Sequence, residues 1–181
     1  MKMAQAVKKV ALVTNASKPK ADELRRALRE WLMKRDVEVI DADWASIEST
    51  IPNTDLFICL GGDGTILRLA GKMIDRAVPV LGVNAGSLGF LTEVRAEELY
   101  DELKSIFLGQ FEVEERMLLS ASVWSKAGEA EQRFQALNDI VINREGLTRY
   151  MMVQVEIGGE VATRFPGDGV IVATPTGSTA Y

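Results

Sequence analysis

Gly61-Gly62-Asp63-Gly64-Thr65 places three glycines and one carboxylate between an apolar run and a segment of helical spacing. A loop that leaves a strand and enters a helix offers unpaired backbone N–H groups, and glycine lets that backbone approach an anion closely. Gly61, Gly62 and Gly64 therefore suit a phosphate cradle. The segment has neither the lysine of a GxxxxGK[ST] loop nor the spacing of GxGxxG, so neither of those nucleotide loops describes it. Asp63 puts a negative charge where phosphate oxygens are expected. An acid there makes sense if it assists a bound cation or takes a proton from an attacking hydroxyl. The structural alternative is a tight turn whose aspartate caps the next helix.

Three further stretches carry polar groups in apolar surroundings. In "GVNAGSLGFLTE" (82–93) the glycines and Asn84 suit a second close-approach loop in a crevice at the carboxyl ends of parallel strands. Phe90 there can stack on a base or fill the core. "ALNDIVI" sets Asn138 and Asp139 inside an apolar run, where a ligand would offset their desolvation, or a bulge or strand end would expose them. "GDGVIVATPTGSTAY" (167–181) joins a second Gly-Asp-Gly to a hydroxyl-rich run able to lie against a ligand, although a turn-rich connection has the same composition.

Composition narrows the chemistry. There is no histidine and a single cysteine, Cys59, which excludes serine–histidine catalysis, histidine metal ligands and an intrachain disulfide framework. Acid–base work near neutral pH falls to carboxylates, Lys, Tyr or Cys59. A net charge of -5 provides no basic surplus for a nucleic-acid backbone. The N-terminal stretch has too short an apolar run among too many charges for a signal peptide or membrane span, so the reading is a soluble, cytoplasmic protein.

These residues need elements to position them. Lys9–Thr14 reads as a buried strand, followed by a helix over residues 21–36 with Leu24, Ala27, Leu28, Trp31 and Leu32 on one face. Val37–Ala42, Asp55–Leu60 and Val78–Asn84 read as further strands, with a helix over Thr65–Arg76 facing inward through Leu67, Ala70 and Ile74. This alternation predicts an α/β domain with a parallel sheet. Arg95–Gly109 reads as one more amphipathic helix, stopped by Gly109. From Phe111 only strands and turns are expected, in the runs 111–125, 133–144, 149–159 and 169–175. A domain boundary near residue 110 would separate the α/β domain from the start of an all-β domain.

Taken in order, "GGDGT" (61–65), "NAGSLGFL" (84–91), "LNDIVI" (137–142) and "GDGVIVATPTGSTAY" (167–181) resemble the motif set of the NAD kinases, over most of the chain. Diacylglycerol and sphingosine kinases share GGDGT, and the later motifs separate this chain from them. The resemblance implies transfer of the γ-phosphoryl group of ATP, or of a donor such as polyphosphate, to the 2′-hydroxyl of the adenosine ribose of NAD, giving NADP. It implies Asp63 as the catalytic aspartate, taking the proton from that hydroxyl as it attacks phosphorus. Gly61, Gly62, Gly64 and Thr65 would lie on the ATP phosphates, with Mg2+ offsetting charge and no side-chain metal ligand assigned. NAD contacts would come from Asp63, Gly64, Arg68 and Phe90, from Asn138 and Asp139 at the adenosine, and from Asp168 near the nicotinamide. Thr179, Ala180 and Tyr181 would lie on the adenine side, and Arg149 matches a basic position before a strand. Asp139 stands where many members have Glu. Members continue for roughly a further hundred residues, on the scale of a small domain, so the second domain is expected to be incomplete here, and they commonly form homo-oligomers. The remaining alternatives are a lipid or sugar kinase using the same loop, and a non-catalytic nucleotide-binding module, which would have no use for Asp63.

Overall fold

Val10, Ala11, Leu12 and Val13 are all buried, so the first strand is covered on both faces. In the computed structural model, which describes residues 7–14, 19–73, 76–84, 89–125, 132–146 and 150–180, this strand is β1 (Lys9–Thr14). It leads into helix α1 (Pro19–Met33) and strand β2 (Glu38–Asp41). A short helix α2 (Ile47–Thr50) and a single 3-10 turn over Ile51–Asn53 precede β3 (Leu56–Gly61), α3 (Asp63–Ala70), β4 (Val80–Asn84), a two-residue β5 (Val94–Arg95) and α4 (Leu99–Phe107). The strands form one sheet in the order β2-β1-β3-β4-β5, with every pairing parallel.

Every residue of β3 is buried, which explains its unbroken apolar sequence. Val10, Leu12, Ile58 and Leu60 share one cluster with Leu28 and Leu32 of α1 and with Leu99, Leu103 and Ile106 of α4. Phe57 and Cys59 alternate to the opposite face and are just as buried. Helix α1 ends as the Lys34–Asp36 turn: Val37 N–H reaches Leu32 O at 3.3 Å and Asp36 N–H reaches Met33 O at 3.2 Å. That pair of bonds requires a left-handed residue, and Asp36 supplies it at φ 58°. Gly109 plays the same part after α4 at φ 71°, with Gln110 N–H on Ser105 O at 2.9 Å.

The expected inward faces need correction in two helices. In α3 the buried residues are Thr65, Ile66 and Leu69, while Leu67 and Ala70 are half-buried, because the helix opens at Asp63 and closes at Ala70 instead of running over 65–76. Ile74 lies outside the described residues. In α1 it is Ala21, one heptad before Leu28, that is buried, and Ala27 is exposed at the edge of the stripe.

The chain divides into two compact units, Met1–Glu115 and Arg116–Tyr181. Among the described residues the second unit holds six strands paired as antiparallel ribbons: β6 (Leu119–Val123) with β7 (Gln132–Ala136), β8 (Asp139–Asn143) with β11 (Gly169–Ala173), and β9 (Met151–Ile157) with β10 (Glu160–Gly167). β9 and β10 are joined by Gly158 and Gly159 at φ 63° and 87°, the two-residue turn that only glycine-like backbones adopt freely. The expected run 133–144 is split at Leu137 and Asn138, and the mostly exposed, proline-containing β10 is not among the expected strands. Among the described residues no helix is long and apolar enough to cross a membrane.

Candidate active site

β3 delivers the glycine loop from the centre of the sheet, and α3 begins immediately after it. Gly62 has extended backbone (φ -124°, ψ -176°), and Asp63 is the first helical residue. Gly61 is required by packing, since a Cβ there would sit 2.5 Å from Thr65 Oγ1. Gly62 and Gly64 are different: among the described residues, and apart from the adjoining backbone, a Cβ on either would meet nothing within 4 Å. Glycine inside a helix costs about 0.5–1 kcal/mol relative to alanine, so Gly64 is a cost that the protein's own packing does not explain. The open space lies where helix N–H groups attract an anion.

The Asp63 side chain folds toward the loop after β4. Its Oδ2 accepts the Phe90 N–H at 2.8 Å, and its Oδ1 accepts the Leu91 N–H at 3.0 Å, the Thr92 N–H at 3.1 Å and the Thr92 hydroxyl at 3.2 Å. Partial burial opposes ionisation, but the four donors outweigh it and hold the carboxyl below its ordinary value. The loop closes so tightly that a Cβ on Gly89 would lie 2.1 Å from Asp63 Oδ1. Phe90 is 91% exposed, which removes the core reading of this ring. Thr92 and Gly89 are not singled out by the sequence: the first binds Asp63 through both its hydroxyl and its N–H, yet a lone threonine after an apolar pair carries no chemical signal, and the second is one glycine among several. Ala85, Gly86, Ser87 and Leu88 lie outside the described residues.

Arg68, on the last turn of α3, stacks over the Trp44 ring at 4.1 Å. The Trp44 indole donates to Thr14 O at 3.3 Å, at the end of β1. Trp44 also lines an open cavity of about 490 Å³ together with Thr14, Arg25, Asp41 and Asp43. Arg25 bridges Asp22 at 2.8 Å and Asp41 at 2.7 Å there. The cavity lies at the carboxyl ends of β1 and β2, the side on which open parallel sheets bind ligands.

In the second unit, Asn138 sits in the bend between β7 and β8, and its carbonyl accepts the Thr174 N–H at 2.8 Å. The Thr174 hydroxyl donates to Leu137 O at 2.5 Å and accepts the Gly177 N–H at 3.0 Å. A Cβ on Gly177 would lie 2.1 Å from Asn138 O, so the third and fourth motifs are packed against each other. Asp139 opens β8 opposite Ala173. Asp168 Oδ1 accepts the Arg144 Nε–H at 2.7 Å. Thr179 and Ala180 are exposed in the final turn, and Arg149 and Tyr181 lie outside the described residues. Asp63 thus meets the Phe90 loop in the first unit, and Asn138 meets the Gly177 turn in the second.

Among the described residues no group of three or more His, Cys, Asp or Glu could hold a metal ion. A magnesium ion would therefore fit this site only as one carried largely by phosphate oxygens and water, which is its usual habit.

Two family models match the chain: the ATP-NAD kinase N-terminal domain over residues 45–111 and the ATP-NAD kinase C-terminal domain over residues 137–181. The NAD kinase of Syntrophotalea carbinolica is 41% identical over 186 residues, covering 97% of this chain and 65% of the relative. That of Geotalea daltonii is 40% identical over 185 residues with the same coverage, 97% and 65%. The chain thus spans about two thirds, 65%, of the length of these relatives. A solved structure of yeast NADH kinase complexed with NADH superposes with a TM-score of 0.85 at 27% identity, covering 98% of this chain and 60% of the other.

Proposed function

The chain belongs to the NAD kinase family, and on that premise we propose that it carries out the first-substrate chemistry of an NAD kinase: transfer of the γ-phosphoryl group of ATP to the 2′-hydroxyl of the adenosine ribose of NAD, yielding NADP and ADP. The observation that carries this reading is the pairing of a carboxylate at the start of α3 with two flanking glycines, Gly62 and Gly64, whose side-chain positions face open space. Backbone N–H groups and unfilled space serve phosphate; the acid serves the acceptor.

Phosphoryl transfer passes through a loose transition state, so the attacking oxygen needs alignment more than early deprotonation. A carboxylate held below its ordinary pKa suits that task. It is ionised at neutral pH, orients the ribose hydroxyl by accepting its hydrogen bond, and takes the proton as the oxygen–phosphorus bond forms and the bond to ADP breaks. Gly61, Gly62, Gly64 and Thr65 lie along the loop that would hold the ATP phosphates, with Gly61 acting through its packing on Thr65. Magnesium, when bound, neutralises phosphate charge.

For NAD, we assign Asp63, Gly64, Arg68 and Phe90 in the first unit, with the exposed Phe90 ring able to stack. In the second unit Asn138 and Asp139 would meet the adenosine, Asp168 the nicotinamide end, and Thr179, Ala180 and Tyr181 the adenine side, with Arg149 as a further contact. The yeast NADH kinase solved with NADH supports a dinucleotide as the ligand class. A cytoplasmic, homo-oligomeric protein that binds neither nucleic acid nor membrane completes the proposal.

The test is NADP formation from NAD, ATP and magnesium, followed with an NADP-dependent dehydrogenase, in the parent chain and in Asp63→Asn. Activity that falls by about a hundredfold or more in the variant, with NAD binding kept, supports both the acceptor and the role of Asp63. A folded parent chain that neither binds NAD nor forms NADP would return the lipid or sugar kinase reading.

A further inference from the structure

Resting on the reading of Asp63 as the acceptor-side carboxylate, we propose that Thr92 is a positioning residue for it: Thr92 helps to saturate Oδ1 and so leaves Oδ2 as the oxygen that faces the acceptor hydroxyl. An ionised carboxylate accepts hydrogen bonds at both oxygens, more than one on each. Oδ1 receives three donors, at 3.0, 3.1 and 3.2 Å, and two of these come from Thr92. Among the described residues Oδ2 receives one donor, the Phe90 N–H at 2.8 Å, and can accept another.

The hydroxyl of Thr92 has its direction set from behind. The Asn84 amide donates to Thr92 Oγ1 at 3.4 Å, which directs the single hydroxyl hydrogen onward to Asp63 Oδ1. Thr92 is fully buried and Asn84 nearly so, at 0% and 5% exposure, so water does not compete for these bonds. Asn84, the last residue of β4, thus reaches the carboxylate through the Thr92 side chain. Gly89 closes the arrangement, since any side chain there would occupy the place of the carboxylate. The hydrogen bonds that hold the Asp63 carboxyl below its ordinary value come from Phe90, Leu91 and Thr92 of this loop.

The variants are Thr92→Val, which keeps shape and removes the hydroxyl, and Thr92→Ser, which keeps the hydroxyl. Two readouts separate orientation from packing. The first is steady-state kinetics over pH: Thr92→Val should lower kcat between about 10-fold and about 100-fold, the scale of a displaced reactive group, with KM for NAD little changed and the acid limb of kcat/KM moved to higher pH. The second is the carboxyl 13C resonance of Asp63, assigned against Asp63→Asn, which should titrate at higher pH in Thr92→Val. Thr92→Ser should resemble the parent in both. Parent-like kinetics and titration in a folded Thr92→Val overturn the proposal, as does a Thr92→Ser that behaves like Thr92→Val. If Thr92→Val fails to fold, Thr92→Cys takes its place, with similar size and a weaker donor. A parent that makes no NADP sinks the kinase reading on its own, and the titration then still decides whether Thr92 orients Asp63.

Discussion

At the scale of single residues, the glycines around Asp63 divide into those the protein needs and those it does not. Gly64→Ala fills open space in a helix, so it should raise stability by about 0.5–1 kcal/mol while NADP formation falls; a melting curve beside an activity assay checks both, and full activity would remove Gly64 from the ligand's path. Gly89→Ala should lose stability and activity together, because its Cβ would occupy the carboxylate's position. The lowered Asp63 pKa carries a pH signature. A carboxyl that titrates lower when folded adds stability above its unfolded value, about 3.9, and the contribution fades as pH falls through the folded value. Denaturant unfolding of parent and Asp63→Asn should therefore show a stability gap that is steady near neutral pH and closes below about pH 4. Asp63 was legible in the sequence because an acid among phosphate-binding glycines is chemically odd. Thr92 is not, since a single threonine after an apolar pair is chemically ordinary and its neighbours Phe90 and Leu91 bind that acid only through backbone N–H groups.

At the scale of elements, burial decides what the sequence betrays. β1 and β3 are covered on both faces, so their apolar runs mark them almost to the residue. α4 announces itself through Leu99, Leu103 and Ile106 and the Gly109 stop. α3 was misread because Thr65 belongs to its buried stripe, and a hydroxyl does not register in a hydrophobic pattern. β10 went unseen because its residues are mostly exposed and its strand character comes from pairing with β9 through the Gly158-Gly159 turn. The end of α1 offers a check on backbone strain: Asp36 is the one described non-glycine residue at positive φ. Asp36→Gly should stabilise the chain by between about 0.5 and 1 kcal/mol, read as a higher Tm.

At the scale of the whole molecule, the two units hold very different amounts of buried apolar surface. Nearly all fully buried hydrophobics lie in the first unit; in the second, Leu137 and Val153 are the buried ones among the described residues, while Val141, Ile142, Ile171 and Val172 are between 43% and 51% exposed. Two-stranded ribbons are marginal in water on their own. Hydrogen exchange should accordingly be slowest in β1, β3 and β4 and much faster in β8, β9, β10 and β11; uniform protection across both units would contradict this. The family and the α/β architecture could be read from sequence because motif order and strand periodicity are local, whereas the ribbon pairing depends on partners far along the chain. Cys59 lies at the middle of that slow-exchanging sheet, fully buried, with burial pushing its thiol up to about 12. As the sole cysteine, two residues before Gly61, it is a built-in stopwatch for the sheet: an alkylating reagent can reach a thiolate only when β3 opens, so labelling rates count those openings, and a ligand that grips the phosphate loop will slow the count.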